Sequence, residues 1–270
     1  MIRDITLGQY YQTTSSLHRL DPRVKLMGTM VFIISLFISQ NIACYALATV
    51  FLIILIKLSN VPFRYIVRGM KAIFFIMLIT VVFNLFLTTG RPLVQIWRFT
   101  ITYEGLKNAV YTAVRLIYLI LGSTLLTLTT TPNNLTDGLE KGLGFLKVFK
   151  LPVHEIAMMM SIALRFIPIL LEETDKIIKA QEARGADFES GGMVRRVKAM
   201  VPLLVPLFVS AFRRANDLAM AMEARCYHGG EGRTKMKPLV YKAWDIRAYI
   251  IQACYLALMI MCAIFVPSPF

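Results

Sequence analysis

The sequence predicts an all-α, polytopic membrane protein with about five transmembrane helices and a basic cytoplasmic helical domain. Three observations predict it. The 270 residues are 57% hydrophobic, with a mean hydropathy of +0.61, more apolar than an ordinary soluble domain. The apolar residues fall into long runs, several of them near the roughly 20 residues that a bilayer crossing requires. The basic residues behind the net charge of +14 cluster between those runs, as the positive-inside pattern requires. Nucleic-acid binding does not fit a chain whose apolar runs must lie in lipid.

Residues 1–25 form a polar lead-in with Tyr10, Tyr11, Ser15, Ser16 and His18. No cleavable signal pattern occurs there, so the first span is expected to act as the insertion signal. Leu20-Asp21-Pro22-Arg23 reads as a helix start, with Asp21 as N-cap and Pro22 at the first helical position. The spans are expected at residues 24–39, 42–56, 72–87, 109–129 and 248–266. Between the second and third, Lys57, Pro62, Arg64, Arg68 and Lys71 read as a basic loop. Gly90, Pro92 and Trp97 mark the next loop, with Trp97 and Tyr103 suited to a membrane interface.

Charge sets the orientation. Arg3, Arg19, Arg23 and Lys25 precede the first span, and four more basic residues precede the third. The Gln40-Asn41 turn carries none, and the third-to-fourth loop carries Arg91, Arg98 and Lys107. The N-terminus is therefore expected in the cytoplasm, with the C-terminus outside. Residues 1–131 make an N-terminal membrane region of four helices, 132–245 a cytoplasmic coupling-helix domain, and 246–270 a C-terminal transmembrane helix.

Within 132–245, Leu135, Leu139, Leu143 and Leu146 form an apolar stripe at helical spacing, and Lys141, Lys147 and Lys150 a basic side. Two readings are open, a helix on the membrane surface or one packed on its neighbours. Pro152 opens a longer helix to about residue 183, with an apolar first half, a kink expected at Pro168 and a charged second half. Gly185 is its natural C-terminal cap. Another helix, broken or kinked at Pro202 and Pro206, runs from about residue 193 to 227. Both end in Ala-x-Glu-Ala-Arg, at Arg184 and Arg225. An arginine at one helix C-terminus is explained by the carbonyls and partial negative charge there. Two matching tips, cleared by the small Ala183, Gly185 and Ala224, suit a partner surface that meets each guanidinium with carboxylates.

The paired tips Ala183-Arg184-Gly185 and Ala224-Arg225-Cys226 resemble the paired Ala-Arg-Gly motifs of the T component of energy-coupling factor transporters (EcfT, CbiQ-like). So do the lead-in from Ser16 through Leu20-Asp21-Pro22-Arg23 to Lys25, and Leu164-Arg165-Phe166-Ile167-Pro168. The resemblance covers nearly the whole chain. It implies a transmembrane scaffold whose arginine tips seat in two ABC-type ATPase subunits. It also implies a small membrane-embedded S component that binds a vitamin or transition metal and is thought to topple when ATP is used. Cys226 stands where the motif usually has Gly, and helix termination there is expected a turn later, at Gly229 and Gly230.

No catalytic residue, cofactor site or metal site is expected. Cys44, Cys226, Cys254 and Cys262 show no metal-ligand spacing, and no phosphate-binding GxxxxGK[ST] loop occurs. The competing reading is an integral membrane enzyme acting on lipids. It would need a convergent acid/base set, and its candidates, Glu172, Glu173 and Asp175, lie beside Lys176 and Lys179 on what reads as a solvated face. A stand-alone secondary carrier fits less well, since its repeats and polar residues would lie within the spans. Arg115, about two turns into the fourth span, is expected to snorkel to the interface. Asn84 is expected to bond a neighbouring helix, and Met158–Met160 to serve either as an adaptable partner surface or as core.

Overall fold

The structure, a computed structural model, describes residues 10–38, 41–71, 73–96, 99–149, 151–186, 188, 192–229, 236 and 238–266. Arg3, Gln40, Trp97, Arg98, Lys150, the Gly230-Glu231-Gly232 run and the closing Pro267-Ser268-Pro269-Phe270 lie outside the described residues. The chain divides into two compact units, one within residues 8–139 and 239–270, the other within 140–238.

The first unit holds α1 (Pro22–Ile38), α2 (Ile42–Ser59), α3 (Phe63–Lys71), α4 (Phe74–Leu87), α5 (Tyr103–Thr129), most of α6 (Pro132–Gly142) and α9 (Ala243–Phe265). Strands β1 (Pro92–Ile96) and β2 (Phe99–Thr102) pair antiparallel before α5, with a register shift between Pro92 and Val94. The fold is thus an all-helical membrane protein carrying one short hairpin. Among the described residues, four helices are long and apolar enough to cross a membrane: α2, α5, α9 and, in the other unit, the helix Val153–Ala183. α1 has 17 residues and α4 has 14.

α5 packs against α1, α2, α3 and α4, and α9 packs against α1 and α2. The core between them is built from Phe32, Leu36, Leu52, Leu121, Leu125 and Met259, among others. Close approach is set by small residues, as helices in lipid require. A Cβ on Gly122 of α5 would sit 2.8 Å from the Phe32 ring of α1. Tyr255 of α9 stacks on Phe51 of α2 at 4.0 Å between ring centroids, and its hydroxyl lies 2.9 Å from Ser35 Oγ of α1. The outward faces are bare hydrocarbon. Phe75 and Phe83 of α4 are 68% and 60% exposed, an arrangement whose natural solvent is lipid.

The start of α1 follows the sequence expectation. Asp21 Oδ1 accepts from the Arg23 backbone N–H at 2.9 Å, and Pro22 opens the helix. The same carboxylate pairs with the Arg23 guanidinium at 2.8 Å. Arg23 also lies 3.8 Å above the Tyr241 ring and donates to the Leu239 carbonyl. Asp245, 2% exposed, accepts from the backbone N–H of Asp21 and from that of Lys242, each at 2.8 Å. One carboxylate therefore fastens the beginning of α1 to the beginning of α9. Lys25 Nζ donates to the Thr129 carbonyl at 2.8 Å and closes the C-terminus of α5. In the lead-in, His18 Nε2 donates to the Tyr11 carbonyl and Nδ1 lies 2.6 Å from the Ser15 hydroxyl. Burial there holds the His18 pKa below its usual 6.5.

Several local expectations are corrected. Residues 63–71 are helical, where a loop was expected. Buried Ile66, Gly69 against Thr124 and half-buried Met70 recur at helical spacing and give α3 an inner face. Pro92–Ile96 and Phe99–Thr102 pair as strands, where a loop was expected. α5 begins at Tyr103 because Thr102 Oγ1 accepts from the Gly105 N–H, capping the helix six residues before the expected span start. Arg115 donates from Nε to the Tyr45 hydroxyl at 3.1 Å, three residues into α2, a bond compatible with its reaching toward the interface. Asn84 bonds the Thr80 carbonyl of its own helix, which satisfies its amide locally.

Candidate functional site

The second unit carries the two arginine tips. A 3₁₀ segment, Leu143–Phe149, leads from α6 to α7 (Val153–Ala183), and α8 (Met193–Ala224) follows. α7 opens after Pro152 with Glu155 in its first turn, which favours the positive helix start. His154 Nδ1 contacts Glu140 Oε1 at 2.9 Å and ties α7 back to the end of α6. Helices of 31 and 32 residues reach roughly 46 to 48 Å at 1.5 Å per residue. α7 stays helical through Pro168, and α8 through Pro202 and Pro206. Each proline forfeits one backbone hydrogen bond; of the two alternatives expected for α8, a break or a kink, the break does not occur.

α7 and α8 pack against each other, and an ion pair joins them. Arg214 Nη2 lies 2.9 Å from Glu173 Oε2. These residues are 41 positions apart, the same offset that separates Arg184 from Arg225. Each partner lies eleven residues before its own tip arginine, so both helices run on for roughly 16 Å beyond the pair. The sequence reading placed Glu173 on a solvated face and missed this pairing. The shared offset was the signal that could have found it.

The two helix ends have one backbone design. Arg184 (φ −89°, ψ 7°) and Arg225 (φ −95°, ψ 16°) are the C-caps. The next residues, Gly185 and Cys226, take left-handed φ values of 84° and 55°. At the first tip Gly185 N–H bonds the Glu182 carbonyl at 2.9 Å, and Ala186 N–H the Gln181 carbonyl at 3.0 Å. At the second, Cys226 N–H bonds Glu223 at 2.9 Å and Tyr227 N–H bonds Met222 at 3.0 Å. This is the Schellman closure, made twice. The expectation that the second helix would end at Gly229 and Gly230 is therefore corrected. The closing bonds hold Cys226 in the left-handed region, at a cost of about 1–2 kcal/mol for a residue with a Cβ.

Because backbone N–H groups close both ends, the arginine side chains are not used as caps. Ala183, Arg184, Gly185, Ala224, Arg225 and Cys226 are all exposed, and neither guanidinium has a partner among the described residues. A Cβ on Gly185 would meet nothing within 4 Å. The result is two copies of one surface feature, a free planar cation on a short, bare, backbone-locked corner. Such a group suits bidentate recognition of a carboxylate. No group of three or more His, Cys, Asp or Glu that could hold a metal occurs among the described residues.

The family model CbiQ, cobalt transport protein, matches residues 13–236, which include both tips. The chain belongs to the CbiQ family. Relatives agree over almost its full length. It is 53% identical over 260 residues to the energy-coupling factor transporter transmembrane protein EcfT of Clostridium kluyveri, covering 96% of this chain and 95% of that one. The EcfT of Bacillus subtilis is 52% identical over 246 residues, covering 91% and 93%. That of Thermosediminibacter oceani is 52% identical over 249 residues, covering 92% and 94%. As a family member this chain is the transmembrane component of an energy-coupling factor transporter, a multi-pass membrane subunit.

The strained second corner leads to an expected result. Cys226→Gly should stabilise the end of α8 by about 0.5–1 kcal/mol, after the extra freedom of glycine in the unfolded chain is counted. Amide exchange at residues 226 and 227 should then be about two- to five-fold slower. Unchanged or faster exchange would show that Cys226 is not strained.

Proposed function

We propose that this chain is the coupling and scaffold subunit of an ATP-driven importer for a vitamin or transition metal. In this reading it joins two ABC-type ATPase subunits to a substrate-binding S component in the cell membrane. The N-terminus and residues 132–245 lie in the cytoplasm, and the remaining helices anchor the subunit in the bilayer. The observation that carries the reading is the duplicated corner. Arg184 and Arg225 share one backbone geometry, are exposed and are spared from capping. A pair of equal plugs suits a pair of equal sockets, as two copies of one ATPase or two homologous ATPases would present.

The exposed apolar rows support the second contact. Leu204, Val205, Phe208, Val209 and Phe212 recur along α8 at three- and four-residue intervals, with Phe208 66% exposed. Met159 and Met160 of α7 are exposed as well. Flexible methionines and an aromatic row suit an exchangeable apolar partner such as an S component. The lipid-enzyme reading weakens, because Glu173, one of its candidate carboxylates, is tied to Arg214.

Purification of the tagged chain from its own membranes tests the proposal. The expected product is a stable complex with two nucleotide-hydrolysing subunits and a small integral membrane protein, identified by mass. A chain that purifies alone and turns over a lipid would overturn it.

A further inference from the structure

We infer that α3 is a binding surface for anionic phospholipid headgroups, set at the end of the membrane bundle where α5 terminates. The level of the helix is fixed by its contacts. Gly69 abuts Thr124 of α5, near that helix's end at Thr129. The Tyr65 ring lies 5.1 Å from that of Tyr11, whose N–H bonds the Leu128 carbonyl. α3 therefore lies beside the last turns of a membrane-length helix, where headgroups meet hydrocarbon.

The helix has distinct faces. Ile66 is fully buried, and Gly69 and Met70 follow it against the core. Away from that face, Phe63 is 62% exposed and Val67 38%, apolar side chains suited to the acyl boundary. Arg64 is exposed, as is Lys57 in the last turn of α2. The sequence adds Arg68 and Lys71 at the four- and seven-residue spacing from Arg64 that returns to one side of a helix.

Charge decides the occupant. Between Asp21 and Glu104 the chain contains no acidic residue, so neither α3 nor the chain flanking it supplies a carboxylate. A short helix with one apolar flank and basic residues repeating along another matches a phosphate-bearing, negatively charged lipid. Each such cation near an anionic surface contributes about 1 kcal/mol, within a Debye length. A zwitterionic lipid offers the same hydrocarbon without the net charge, and an acidic protein segment would leave Phe63 and Val67 without an apolar neighbour.

The test is lipid retention by the full transporter complex in nanodiscs of mixed phosphatidylcholine and phosphatidylglycerol. Lipids that remain bound after detergent extraction are counted by mass spectrometry. Retained phosphatidylglycerol per complex should fall about three-fold or more in a Lys57→Gln, Arg64→Gln, Arg68→Gln, Lys71→Gln variant, with phosphatidylcholine unchanged. Arg64→Gln alone, at an exposed position, should show a smaller loss and guards against a folding defect in the multiple variant. Lys176→Gln with Lys179→Gln on α7 should show none. Equal phosphatidylglycerol retention in the α3 variants and the parent would overturn the inference. So would an equal loss in the α7 control. The readout requires neither uptake nor ATP hydrolysis, so it stands or falls separately from the coupling role.

Discussion

Replacing Arg184 and Arg225 together with alanine is expected to abolish uptake by the assembled transporter while leaving the chain folded. Both side chains are exposed and unpartnered within the described chain, and the helix ends they occupy are closed by backbone N–H groups. Their removal therefore leaves neither a cavity nor an unsatisfied group in the subunit. The loss falls on the partner, where a carboxylate socket would be left unpaired. Truncating one member of a buried, hydrogen-bonded charge pair costs about 2–5 kcal/mol at an interface, or on the order of 30-fold or more in affinity. Each single change should weaken ATPase association by that order, and the pair should eliminate it. Arg→Lys at both tips should rescue only partly, because an ammonium cannot reproduce the two-pronged geometry of a guanidinium. The measurements are ATPase co-purification and radiolabelled uptake. Full uptake by the double alanine variant would contradict the account.

Asp245→Ala is expected to be among the most destabilising single changes in the membrane unit. This 2% exposed carboxylate accepts two backbone N–H groups, from Asp21 and from Lys242, each at 2.8 Å. Hydrogen bonds to a charged group contribute about 1.5–3 kcal/mol each. Alanine loses both and leaves the buried Asp21 N–H and the part-buried Lys242 N–H unpaired at the starts of α1 and α9. A net loss of about 3 kcal/mol is expected, seen as a lower unfolding temperature and a smaller monodisperse fraction in detergent. Asp245→Asn keeps one acceptor oxygen and should fall between. An unfolding temperature equal to that of the parent would show that the clasp does not hold the unit together.

Some of this architecture was legible before any coordinates, for identifiable reasons. Long apolar runs declare helices in lipid, and proline and aspartate at the head of α1 declare its cap, because each feature acts within a few residues. The two tips were legible because they repeat. The helical nature of α3 was hidden by its basic residues, which resemble a loop until Ile66, Gly69 and Met70 are seen facing the core. The end of α8 was misplaced because glycine was taken as necessary for a left-handed cap. Backbone hydrogen bonds instead force Cys226 into that conformation. The Asp21–Asp245 contact joins residues 224 positions apart, and nothing local in either segment announces the other. The Glu173–Arg214 pair lay within reach, since it repeats the spacing of the tips.

Photo-cross-linking from the two tips tests the central claim most directly. A photoreactive residue replaces Ala183 or Ala224, each small, exposed and adjacent to its arginine, and the intact transporter is irradiated in membranes. The account predicts that both positions link to nucleotide-hydrolysing subunits, and that a chain carrying both labels captures two copies at once. Cross-links to lipid, or to the small membrane partner in place of an ATPase, would contradict it.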